Sequence, residues 1–176
     1  NGITIALEDI KKILEVSNLY EKVGVEKLSD INVTQAFNEA VSNSSNLKEI
    51  QVINNCSNLY VKADSMLRQL FYNLIDNSIE HGKKVTQIKF SCKEEKDQIY
   101  LIYEDNGIGI PAANKVQLFK ERFTTGNGSG LGLKLIKRML DVYGWTINEN
   151  GEPEKGARFI IKIPKMKKAI DKPISI

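Results

Sequence analysis

An α+β fold, with helices layered on one sheet, is what this sequence predicts, and three observations carry it. "TQIKFSCKEE" and "DQIYLIYED" are neighbouring runs rich in β-branched and aromatic residues, and "GARFIIKIP" alternates cleanly, so a hairpin and a late strand are expected. Leu67, Leu70, Phe71, Leu74 and Ser78 fall on one arc of a long helix. Strands and helices then succeed one another without regular strand–helix–strand alternation, which points to α+β. A chain of 176 residues, 41% apolar and 27% charged, has the size and composition of one soluble domain with an appended element.

Residues 3–23, at the start of the chain, place Ile3, Leu7, Ile10 and Leu14 in one row and Ala6, Ile10, Ile13, Ser17 and Tyr20 in a second. Both rows have four-three spacing, which makes a seam for a partner helix. Gly24 is the expected stop, so this helix reads as a piece separate from the domain after it. "DINVTQAFNEAVSNSSN" reads as a short strand, a helix of about three turns and a polar loop. Two short strands are expected in "EIQVINN" and "LYVKA", and the long helix occupies residues 64–81.

Several function classes lose support on composition alone. The net charge of +3 comes partly from "KMKKAIDK" near the C-terminus, so no nucleic-acid groove is demanded. Cys56 and Cys92 lie far apart without CxxC spacing, which speaks against a disulfide framework and a zinc site and fits a reducing compartment. No apolar run approaches the roughly 18 residues of a membrane span, and the N-terminus lacks a signal-peptide pattern, although "NGIT" reads as a cut end. There is no internal repeat.

Three stretches carry chemistry. Asn73 and Asn77 project from one face of the long helix, one turn apart. They are either surface amides or, because asparagine is a mediocre helix former, residues retained for a task. An amide oxygen is a neutral hard ligand, suited to a Mg²⁺ that arrives with phosphate oxygens. In "YEDNGIGIP", Asp105 ends a strand; its carboxylate only accepts, so it suits the exocyclic amine of adenine and repels the carbonyl oxygen of guanine. Gly107 and Gly109 would then take positive φ and let the backbone approach a flat ring, with Ile108 and Ile110 offering apolar contacts. A plain hairpin turn at "DNG" is the competing reading. A dinucleotide fingerprint at Gly107, Gly109 and Ala112 is weakened by Pro111, which removes an N–H, and by the absence of an acidic strand end about 20 residues on. In "TTGNGSGLGLKLIKRML", glycines at 126, 128, 130 and 132 precede an amphipathic helix of Leu133, Ile136, Met139 and Leu140, either a flexible loop or an anion site at a helix N-terminus. It is not a Walker A loop, because Leu133 comes directly after Gly132.

Together "LFYNLIDNSIEHG", "YEDNGIGIP", "LFKERFTTG" and "GSGLGLKLIKRML" resemble the N, G1, F and G2 boxes of the histidine-kinase ATP-binding domain, a branch of the GHKL ATPases, in family order. The resemblance covers residues 30–165 and implies a two-layer α/β sandwich of the GHKL (Bergerat) type. It divides the chain into a dimerisation helix at 1–24, a catalytic domain at 25–165 and a basic tail at 166–176. It implies ATP and Mg²⁺ as cofactors, with Asn77 as the metal ligand, Asn73 beside metal and phosphates, His81 in the pocket and Asp105 on adenine. Gly107, Gly109 and Ile110 would shape the base pocket. Phe119 and Phe123 would anchor a lid holding Thr124 and Thr125, and Gly128, Ser129, Gly130, Leu131 and Gly132 would wrap the phosphates. Gly156 resembles the glycine of the last box.

The resemblance implies a cytoplasmic two-component sensor kinase, transferring the γ-phosphoryl of Mg-ATP to a histidine outside this chain. It would pair through its first helix, serve a response regulator, contact no nucleic acid and reach a membrane only through an upstream region. The chain's one histidine, His81, lies within the N box and is not in the position of a phosphoacceptor. Glu80 stands where a basic residue is common, leaving Lys83, Lys84 or Arg122 for that phosphate contact. Two alternatives remain: a hydrolysing ATPase of the clamp or chaperone type, which would place glutamate where Asn73 stands, and a degenerate module that only binds nucleotide or a partner.

Overall fold

The computed structural model describes residues 2–119 and 131–165. Helix α1, Gly2–Lys22, is followed by Gly24 at φ +85°, the left-handed turn that glycine adopts without a Cβ penalty. Strand β1, Ser29–Asn32, leads into α2, Val33–Asn43, whose N-cap Asn32 accepts a hydrogen bond from the Gln35 N–H at 2.9 Å. Strands β2, Gln51–Asn54, and β3, Tyr60–Ala63, precede α3, Leu67–His81. The hairpin is β4, Gln87–Glu94, and β5, Gln98–Asp105. A short α4, Ala112–Lys115, comes next, then α5, Leu131–Tyr143, β6, Thr146–Glu149, and β7, Arg158–Pro164.

The α+β expectation holds: one five-stranded sheet in the order β2-β4-β5-β7-β6 and a two-stranded sheet of β1 and β3. Along β5 the buried residues are Ile99, Leu101, Tyr103 and Asp105, every second position, so one side of the sheet faces the helices. Phe37 of α2, Phe71 of α3 and Phe90 of β4 pack as a cluster, the first and last stacked at 4.5 Å, and join helices to sheet. Leu135, Ile136, Met139 and Leu140 of α5 complete that layer.

Two features depart from expectation. Strand β6 has no signature in "TINE", a stretch too short for alternation to show. The pairing of β2 with β4 is parallel, at a constant register offset of 36 residues from Gln51↔Gln87 to Asn54↔Phe90. That offset overturns the reading of the cysteines as unpaired: Cys56 and Cys92, also 36 residues apart, stand opposite one another just beyond the paired segment and form a disulfide, with Cα atoms 5.0 Å apart. Cysteine usage therefore no longer argues for a reducing compartment.

Helix α1 has two environments. Leu7, Ile10, Ile13 and Leu14 are exposed, whereas Val16, Leu19 and Tyr20 pack against the core and Val23 is buried. The Tyr20 ring lies 4.5 Å from the Arg138 guanidinium of α5, a cation–π contact. Tyr20, expected in the partner-facing seam, thus faces its own domain.

Candidate functional site

The predicted residues of α3 and β5 meet where α3 crosses the end of the sheet. Asn73 is buried, with its Oδ1 accepting from Gln69 Nε2 at 3.2 Å, and the side-chain nitrogens of Asn73 and Asn77 are buried without a hydrogen-bond partner among the described residues. Buried amide donors without a partner among these residues point to a place kept for something other than packing. Asn77 also faces the start of α5: a Cβ added at Gly132 would stand 3.8 Å from the Asn77 Oδ1.

One residue further along α3, Ser78 reaches the other half of the site. Its hydroxyl donates to Asp105 Oδ2 at 2.6 Å. Asp105 Oδ1 accepts from the N–H groups of Gly107 at 2.9 Å and Ala157 at 3.1 Å. Three donors make burial of this carboxylate tolerable and fix its plane.

The glycines after Asp105 do more than the sequence implies. Gly109 has the expected positive φ, +66°, but Gly107 lies outside the left-handed region. A Cβ at Gly107 would stand 2.6 Å from the carbonyl oxygen of Gly82, and one at Gly109 would stand 2.6 Å from that of Glu152. Both glycines are thus required by neighbouring backbone. Gly156, at φ +113°, is the tightest: its Cβ would fall 1.8 Å from the Asp105 carbonyl oxygen.

Ile110 and Phe119 are partly buried against the core, and His81 ends α3 exposed, 3.8 Å from the Glu80 carboxylate. Leu131 and Gly132 open α5. Thr124, Thr125, Gly128, Ser129 and Gly130 lie outside the described residues, as do Arg122, Phe123 and the tail at 166–176. Sequence reasoning missed Ala157 and the partnership of Ser78 with Tyr103, whose hydroxyls are 2.9 Å apart. It also missed the ion pair of half-buried Lys115 with the buried Glu149 at 2.7 Å, which joins α4 to β6. A serine on an otherwise apolar arc was the available signal for Ser78; the other contacts join residues far apart in the chain.

Among the described residues no group of three or more His, Cys, Asp or Glu side chains could hold a metal ion, and no helix is long and apolar enough to cross a membrane. An open groove of about 660 Å³ along α2, lined by polar residues including Gln35, Asn38, Glu39 and Arg68, contains none of the predicted site residues.

The arrangement has known counterparts. Residues 62–167 match the family described as histidine kinase-, DNA gyrase B-, and HSP90-like ATPase, and the chain belongs to that family. Within it, the chain is similar to the alginate biosynthesis sensor protein KinB of Pseudomonas aeruginosa, 31% identical over 101 residues, and to the sensor protein SrrB of Staphylococcus aureus, 36% identical over 105. These matches cover 56% and 55% of this chain but only 17% and 18% of the relatives, so the chain spans a small part of their length. Among solved structures, the catalytic domain of histidine kinase ThkA superposes with a TM-score of 0.69 at 26% identity, covering 80% of this chain and 97% of that one. ThkA in complex with the response regulator protein TrrA gives a TM-score of 0.72 at 25% identity, covering 94% and 50%. The two-layer sandwich expected from the four boxes is therefore the fold observed.

Proposed function

We propose that this chain is the ATP-binding catalytic part of a two-component sensor histidine kinase. The observation that carries the reading is the convergence at adjacent residues of α3: Asn77 meets the start of α5, where the glycine loop ends, and Ser78 meets Asp105. Phosphate-side and base-side features thus lie within one helical turn. Asp105 Oδ2 would accept the exocyclic amine of adenine, and Gly128, Ser129, Gly130 and Gly132 would carry the phosphates at the N-terminal end of α5.

The donor set fits a Mg²⁺ that comes with its nucleotide. Asn77 would supply its side-chain oxygen as one neutral ligand and leave the rest to phosphate oxygens, while its unpartnered buried nitrogen would be free to donate to a phosphate oxygen; among the described residues no carboxylate cluster offers a competing cage. When bound, the ion would neutralise charge on the transferring phosphoryl group. Asn73, an amide, cannot take a proton from water, which favours transfer to a histidine over hydrolysis. His81 sits one turn beyond Asn77 on the same helix, so the acceptor is a histidine not among these residues. The likeness to ThkA, solved with a response regulator, supports a response regulator as the onward partner. The exposed face of Leu7, Ile10, Ile13 and Leu14 supports pairing with a second copy. A cytoplasmic setting accords with that role.

Calorimetric titration with Mg²⁺ tests the base reading. ATP should bind at least about tenfold more tightly than GTP, because a carbonyl facing the buried carboxylate costs about 1–3 kcal/mol. Equal affinities would remove Asp105 from its role. Sedimentation at several concentrations tests the pairing: a monomer throughout, unchanged by Ile10→Asp, would leave the exposed face of α1 without that function.

A further inference from the structure

We propose that Tyr103 and Ser78 form a directional hydrogen-bond relay that positions the Asp105 carboxylate and thereby sets its selectivity for an amino-bearing purine. The proposal rests on the nucleotide reading and gives a role to two residues inside the boxes to which the resemblance assigns none.

The direction of the relay is fixed by the number of protons. Ser78 Oγ carries one hydrogen, and it is donated to Asp105 Oδ2 at 2.6 Å. The 2.9 Å contact between Ser78 Oγ and the Tyr103 hydroxyl can then be a hydrogen bond only if tyrosine donates. Burial pushes the Tyr103 phenol well above its ordinary range, so that proton is retained. Tyr103 and Asp105 are two residues apart on β5 and point to the same side of the sheet, while Ser78 comes down onto both from α3. All three residues are buried.

Position 78 packs among the helix residues that meet the sheet, where alanine would fit and would bring no hydroxyl to desolvate. The hydroxyl therefore reads as a positioning group. With Gly107 and Ala157 N–H groups on Oδ1 and Ser78 on one side of Oδ2, the carboxylate cannot rotate. The acceptor capacity remaining on Oδ2 is then held in one direction, where an amine matches and a bare ring carbon does not.

The test compares ATP with purine riboside 5′-triphosphate, which lacks only the 6-amino group, by titration with Mg²⁺ on the wild-type chain, Ser78→Ala, Tyr103→Phe and the double variant, with thermal melting as a check on the fold. In the wild type ATP should bind about tenfold more tightly than the analogue. In Ser78→Ala that ratio should fall to about two- or threefold while analogue affinity stays within about twofold of wild type, because the lost term is orientation of one acceptor. Tyr103→Phe keeps the buried ring, should lower the ratio less, and supplies the reading if Ser78→Ala does not fold. The double variant should lose no more than Ser78→Ala alone, since tyrosine acts through serine. A wild-type preference that survives both substitutions would overturn this proposal and leave the Asp105 reading standing. Additive losses would overturn the relay by showing that Tyr103 acts separately. A wild type indifferent to the 6-amino group would overturn the Asp105 reading, and the relay with it.

Discussion

At Gly156 a single methyl group decides whether the backbone around Asp105, the proposed base contact, keeps its shape. The residue runs at φ +113°, and its Cβ would overlap the carbonyl oxygen of Asp105, the last residue of β5. Gly156→Ala should therefore lower stability by at least about 2 kcal/mol, from left-handed strain and displaced backbone together. It should also weaken ATP binding beyond what the stability loss explains, because Asp105 has to move. Urea midpoints and titration on the same variant separate the two effects; a stable variant with normal affinity would mean that this backbone yields easily. The acidic strand end and the asparagine pair were legible in the sequence because a short motif carries each. What Gly156 and Ser78 touch was not legible, since those contacts join α3, β5 and the turn before β7 across the sheet.

Elements are legible in the sequence where periodicity is long and obscure where pairing is non-local. The amphipathic run of α5 and the alternation of β7 show in any window of their residues, whereas the parallel register of β2 with β4 depends on a chain crossover through β3 and α3. The disulfide depends on that register and is hidden with it. Bridging Cys56 to Cys92 closes a loop of 36 residues containing β3 and α3, so it restricts the unfolded chain appreciably. Reduction, or Cys92→Ser, should lower unfolding free energy by about 2–4 kcal/mol. Denaturant unfolding with and without a thiol reductant measures it. Identical midpoints for both forms would show that the β2–β4 pairing holds the loop by itself. Because α3 lies inside that loop, nucleotide affinity measured in both states would show how far the site depends on the bridge.

Over the whole molecule, the nucleotide site as proposed stands apart from any group that would receive phosphate. Asn77 faces the start of α5, and His81, the one histidine in the sequence, lies further along the same helix. A nucleophile attacking a γ-phosphoryl group in line must arrive opposite the leaving oxygen. A residue on the helix that would supply the proposed metal ligand is poorly placed to do so. The chain should therefore bind Mg-ATP without labelling itself, yet label a separately supplied helical fragment carrying a phosphoacceptor histidine. If Asn77 holds the ion as proposed, Asn77→Ala should abolish transfer to that fragment. His81→Ala should leave the fragment labelled and alter nucleotide affinity at most. Incubation with γ-labelled ATP, with and without the fragment, distinguishes these cases by acid-labile label. Label appearing on the wild-type chain alone and lost in His81→Ala would make His81 the acceptor and place the nucleotide differently from the arrangement inferred from Asn77 and Asp105.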